Sequence, residues 1–167
     1  MVINMGLDMY LYGIKRDKKE DVFEKQSGKW KEVCYWRKAN QIHKWFNINF
    51  IKKQDPWGLY EVDEKSVQGL LLLCKLLIYI KDNPDSDLSW VKTDFFEEIN
   101  DPSQDFWGIT DCSDLIAYAL LPPDNLGCCF GRGVVDEEYW EDIKDTIKQL
   151  ESALNQNYDV YYYRASW

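Results

Sequence analysis

The sequence predicts an α+β fold: a single domain in which an antiparallel sheet is covered by helices. Three observations predict it. Strand patterns lie near both ends of the chain, helical periodicity lies mostly between them, and there is no repeating βα alternation of the kind a parallel sheet needs. A length of 167 residues suits one domain, and 46% hydrophobic with 16% aromatic residues excludes a disordered chain. No internal repeat, low-complexity tract or composition break marks a domain boundary.

The first predicted strand spans 5–14, "MGLDMYLYGI", where Leu7, Met9 and Leu11 alternate with Asp8, Tyr10 and Tyr12. Strict alternation marks a half-buried strand. Residues 15–29 are charged and end in Ser27-Gly28, which reads as a loop or hairpin tip. A second strand is expected at 30–35, followed by a helix over about 37–50, and "DPWG" at 55–58 is a turn. Asp63 can cap a helix over 63–81, which "DNPDSD" stops. The segment 82–111 is acidic, carries Pro, Trp and Phe, and has the look of a variable insertion. A short helix is expected at 112–121, ended by Pro122-Pro123, and "LGCCFG" suggests a buried strand at 126–131. Asp136 can cap a long helix over 137–155, whose Trp140, Ile143, Ile147, Leu150 and Leu154 repeat at helical spacing. The closing strand, 158–166, sets Tyr161 and Tyr163 on one face and Tyr162 and Arg164 on the other. It either completes the sheet beside 5–14 or pairs with another copy of the chain.

Charge narrows the partners. The net charge is −9, yet residues 1–53 hold 12 Lys and Arg against 6 Asp and Glu, while residues 54–167 hold 8 against 23. Such asymmetry points to an anionic partner at the basic part or to internal pairing of the two. Duplex nucleic acid is not expected, because its binding needs a broad cationic face. The five cysteines include no C-x-x-C pair, Cys128-Cys129 has no zinc spacing, and a single His leaves no second imidazole ligand. No metal or cofactor is therefore expected. The longest apolar run is interrupted by Lys75, and "MVINMGLDMYLYGIKR" lacks the pattern of a secretory signal, so no membrane association and a cytoplasmic location are expected.

The densest stretch is "CYWRKANQIHKWF" at 34–46, which holds the only His. Wound as one helix, it places Tyr35, Ala39, Ile42 and Phe46 on an apolar line. Trp36, Asn40 and His43 fall on the next line, and Arg37, Gln41 and Lys44 on a cationic edge. Such a shoulder can stack a planar ring on Trp36, hydrogen-bond it through Asn40 and His43, and neutralise a phosphate with Arg37 or Lys44. The alternative is a helix whose shoulder bonds its own sheet. Asp8, on the face of Tyr10, is a candidate orienter of His43 or of a ligand. "FGRG" at 130–133 precedes the acidic start Asp136-Glu137-Glu138, which disfavours a phosphate there; Arg132 remains a secondary anion candidate, with a tight turn as the alternative.

The stretches "MGLDMYLY", "YWRKANQIHKWF", "FG" before an acidic helix start, and "YYYRASW" together resemble an uncharacterised family of small proteins found in phages and bacteria. The resemblance spans most of the chain and implies a compact cytoplasmic protein often carried by phages or prophages. It implies no reaction and no catalytic residue. In that family pattern the segment before the last helix is Phe-rich and followed by Ser or Thr; Cys128, Cys129 and Arg132 depart from it here.

The resulting expectation is a non-catalytic binding protein for a small anionic, ring-containing ligand such as a nucleotide or cyclic nucleotide. Its expected ligand-binding residues are Asp8, Tyr10, Trp36, Arg37, Asn40, His43, Lys44, Arg132 and Arg164. With the phage-type resemblance, this implies sequestration of a nucleotide signal of host defence. A second expectation is an inhibitor or adaptor that meets a host protein through the aromatics of 82–111, namely Trp90, Phe95, Phe96, Phe106 and Trp107. A third is an enzyme acting on nucleotides through His43. A homo-oligomer is also expected, since so many aromatics exceed what one small core hides.

Overall fold

A computed structural model describes residues 6–15, 30–51, 58–84, 112–124 and 130–166. The alternation at the start of the chain forms strand β1, Asp8–Ile14, whose inward positions are buried and outward ones partly exposed. Strand β2 spans Trp30–Arg37 and pairs antiparallel with β1, with a bulge opposite Leu11 and Tyr12. Helix α1 follows at Asn40–Phe46 and widens into a π-helical turn at Asn47–Ile51. A three-residue strand β3, Tyr60–Val62, leads into helix α2, Glu64–Asp82. Helix α3 spans Cys112–Leu120, helix α4 spans Glu137–Leu154, and strand β4 spans Val160–Ser166.

The strands form one antiparallel sheet in the order β2-β1-β4-β3. The chain therefore is an antiparallel sheet with helices, as its sequence predicts. Strand β4 lies inside the sheet between β1 and β3, so its use as an edge for another copy is overturned. Among the described residues the fourth strand of the sheet is β3. Phe130 and Gly131 are not in a strand, and 125–129, with Cys128 and Cys129, lie outside the described residues. The hairpin tip at 16–29, most of the "DPWG" turn and the acidic aromatic segment beyond residue 84 also lie outside them.

One face of the sheet carries the core. Leu7, Met9, Leu11, Cys34, Trp36, Val62, Tyr161, Tyr163 and Ala165 are buried there in one cluster with Ile42, Phe46, Leu70, Leu77, Ile143 and Leu150 of the helices. Phe46 stacks on Tyr163 with ring centres 3.9 Å apart. Gly13 continues the inward set without a side chain because the Tyr158 ring occupies its space; a Cβ there would meet that ring at 2.6 Å. Both anticipated caps form: Asp63 accepts from the Ser66 N–H and Asp136 from the Tyr139 N–H.

The largest departure from the sequence reading is at 36–40. Strand β2 runs two residues further than expected, because Trp36 pairs with Met9 and Arg37 with Asp8. The Lys38 N–H then donates to the Leu7 carbonyl at 2.7 Å, and Lys38 turns the chain with φ of 63°. A right-handed helix cannot pass through that conformation, so it starts only at Asn40. Gly131 fits against this turn at φ of 106°, where a Cβ would lie 2.1 Å from the Lys38 carbonyl oxygen.

Candidate ligand-binding face

Because the helix begins at Asn40, the expected line of Trp36, Asn40 and His43 does not exist as a helical shoulder. Trp36 projects from β2 into the core, and its indole N–H donates to Thr146 Oγ1 at 2.9 Å. That hydroxyl donates in turn to the Asp142 carbonyl. Asn40 is 0% exposed: its amide donates to the Arg132 carbonyl and accepts from the Asp124 N–H, so it ties together two backbone segments. His43 is 4% exposed, with Nδ1 2.8 Å from the Tyr163 hydroxyl. Burial pushes the His43 imidazole below its ordinary pKa, with Asp124 opposing weakly. Lys44 is half-buried and reaches the Pro123 carbonyl at 3.4 Å. These four residues therefore bond their own fold, and the expectation that they wall an open site is corrected. The cause is the turn at Lys38, which rolls the aromatic-polar side of α1 onto the sheet.

Two further expectations change. Asp8 cannot orient His43, since it stands on the opposite face of the sheet from Tyr163; it accepts from the Tyr35 hydroxyl at 2.6 Å. Arg132 is turned toward the start of α4, with Asp136 at 3.0 Å and Glu138 at 3.7 Å, and these carboxylates hold its guanidinium charged. Between Arg37, Lys38, Gln41, Arg132, Asp136 and Asp142 a notch of about 20 Å³ remains, room for roughly one water. Asp142 faces it, accepting from Gln41 at 3.1 Å, and burial raises its carboxyl to about 6.

Two cysteines of the core are unsuited to nucleophilic chemistry. The thiols of Cys34 and Cys74 are buried and burial pushes both up, Cys74 to about 12, so neither forms the reactive thiolate near neutral pH. Among the described residues no three His, Cys, Asp or Glu side chains come together to hold a metal ion. No described helix is long and apolar enough to cross a membrane.

The other face of the sheet gathers the remaining candidates. Strand register places Arg37, Asp8 and Ser166 in one row across β2, β1 and β4, and Tyr35, Tyr10 and Arg164 in the next. Tyr12, Tyr162 and Glu61 form the third row, with Glu32 and Trp30 of β2 beside it. The five rings make a continuous path. Centres are 5.3 Å apart from Tyr35 to Tyr10, 6.0 Å from Tyr10 to Tyr12, 6.0 Å from Tyr12 to Trp30 and 4.9 Å from Trp30 to Tyr162. Tyr35 is 38% exposed, the other four rings are half-buried, and both Arg37 and Arg164 are exposed. The phenol of Tyr35 is raised chiefly by its bond to Asp8, while a bond from Arg37 opposes this. That of Tyr12 is raised by burial and then by Glu32, with Arg164 opposing.

Of the nine expected ligand-binding residues, this face brings together Asp8, Tyr10, Arg37 and Arg164. It adds Tyr12, Trp30, Tyr35 and Tyr162, which the sequence reading did not assign to a site. The signal for them was the alternation of the end strands: Tyr12 falls in step with Asp8 and Tyr10, and Tyr162 with Arg164. No family model matches the chain, and neither a curated protein nor a solved structure matches it.

Proposed function

We propose that this protein binds, without transforming it, a small anionic ligand that carries a planar ring, and that it does so on the open face of the sheet. The observation that carries the reading is the five-ring path flanked by two guanidiniums in adjacent rows of the sheet. Aromatic side chains stack nucleobases with about 1–3 kcal/mol per base, and arginine supplies paired donors to phosphate oxygens. A ring lying on Tyr10 and Tyr35 has Arg164 in the row it touches and Arg37 in the next row. Asp8, Glu32 and Glu61 stand on the same face, a mixture of signs that suits a mono- or dinucleotide better than a long polyanion. A role in sequestering a cyclic-nucleotide signal of host defence rests on the resemblance to phage-carried proteins.

Isothermal calorimetry against nucleoside mono- and triphosphates and cyclic dinucleotides tests the proposal. A binding heat, together with quenching of Trp30 fluorescence and loss of both in Tyr10→Ala, supports it. No heat from any member of the panel at high protein concentration sinks it.

A further inference from the structure

Helix α2 carries more apolar surface than its own core uses. "LLLLC" and "LLIYI" make it apolar around most of its circumference, the pattern of a helix covered on all sides. Val67, Leu70, Cys74, Leu77 and Ile80 face the core, yet Leu72 is 67% exposed and Tyr79 is 57% exposed. Lys65, Gly69, Leu72, Leu76, Tyr79 and Asn83 follow one another at spacings of four and three residues, which is the seam of a helix that packs along another helix. All six are exposed except Leu76, which is half-buried.

Gly69 gives a second, independent observation. It lies inside the helix, where glycine is the worst choice after proline. A Cβ built there meets nothing within 4 Å, so packing inside the single chain does not call for it. Close approach by a second chain would call for it.

We propose that α2 is the two-fold interface of a homodimer, in which the α2 helices of two copies pack antiparallel. That arrangement sets Gly69 against the partner's Tyr79, so a large ring sits where a side chain is missing. It sets Leu72 against the partner's Leu76, and Lys65 against the partner's Asn83, beside the partner's Asp82. The two-fold axis repeats each contact. Small meets large, leucine meets leucine, and the Lys65 ammonium comes beside the partner's Asp82 carboxylate. A parallel pair would place Gly69 on the partner's Gly69 and Lys65 on the partner's Lys65, losing both complementarities. The self-matching seam identifies the occupant as a second copy of this chain.

Sedimentation equilibrium of the full chain, from micromolar to hundreds of micromolar, tests the interface. A reversible monomer–dimer equilibrium is expected. Tyr79→Ala and Gly69→Gln should each weaken it by about tenfold or more, as loss of an interface anchor does. Both positions are exposed in the single chain, so circular dichroism should show unchanged helix content. Lys65→Glu should weaken the dimer, and combining it with Asp82→Lys should restore it. A monomer throughout the range, a dimer indifferent to Tyr79→Ala and Gly69→Gln, or a charge exchange that restores nothing would each overturn the interface.

Discussion

His43 is buried beside a hydroxyl that itself keeps its proton, since burial raises Tyr163 well above its usual pKa. A folded pKa below the unfolded value means that the unfolded chain binds the extra proton first. Stability from this group is complete above the unfolded value of about 6.5 and falls as the pH drops below it. Asp142 acts with the opposite sign. Its folded carboxyl is raised to about 6, against about 3.9 unfolded, so its charged form costs stability at neutral pH, and the cost fades as the pH falls from 6 toward 4. Two outcomes follow. His43→Gln should flatten the loss of stability as the pH falls below about 6.5, measured by urea unfolding against pH. Asp142→Asn keeps an acceptor for Gln41 and should stabilise the protein by about 1–3 kcal/mol at pH 7, with the gain vanishing near pH 4. A gain that persists at pH 4 would mean that packing, not charge, set the difference. His43 and Asn40 were rightly singled out in the sequence as unusual polar residues on an aromatic helix. Of the two readings of that side of the helix, the one in which it bonds its own fold holds; periodicity shows which side chains share a side, not whether that side meets water.

Among the described residues strand β2 is an edge of the sheet, and an edge exposes backbone groups that invite other chains. Here α4 closes it with a side chain: the Tyr35 N–H donates to Gln149 Oε1 at 2.7 Å, and Gln149 Nε2 donates to the Tyr35 carbonyl at 2.9 Å. One amide thus stands in for a neighbouring strand. Gln149→Ala should cost about 1–2 kcal/mol, two modest hydrogen bonds, read as a lower urea midpoint with an unchanged slope. Light scattering should also show slow association through the opened edge. An unchanged midpoint would show that water replaces Gln149 without loss. The elements themselves were mostly legible: the β1 alternation, the Asp63 and Asp136 caps, and the Trp140-Ile143-Leu150 side of α4 were all readable. The boundary between β2 and α1 was not. It is set by pairing to Leu7 and by the fit of Gly131 against Lys38, contacts that a local reading of "YWRKANQIHKWF" does not contain.

At the scale of the molecule, the two faces of the sheet differ in composition. Its inner face and α1 hold the fold, while its outer face carries rings and guanidiniums that the core does not use. The rows of that face join residues from opposite ends of the chain, Tyr10 with Arg164 and Tyr12 with Tyr162. Alternation revealed each set in the sequence, and only the register of β1 with β4 joins them. The difference has a direct consequence in mutagenesis. Asn40→Ala removes the side chain that joins the part-buried Arg132 carbonyl and Asp124 N–H; His43→Ala leaves a cavity and removes the partner of the Tyr163 hydroxyl. Each should cost about 2–4 kcal/mol of stability. Arg164→Ala and Arg37→Ala, at exposed positions, should change stability by less than about 1 kcal/mol and weaken nucleotide binding. That weakening should shrink as salt rises, because added ions screen the charge that each arginine supplies. Thermal melts of the four variants with and without a bound nucleotide separate the two classes. Should Arg164→Ala unfold the chain as readily as Asn40→Ala, the outer face is structural, and the proposed binding face is overturned.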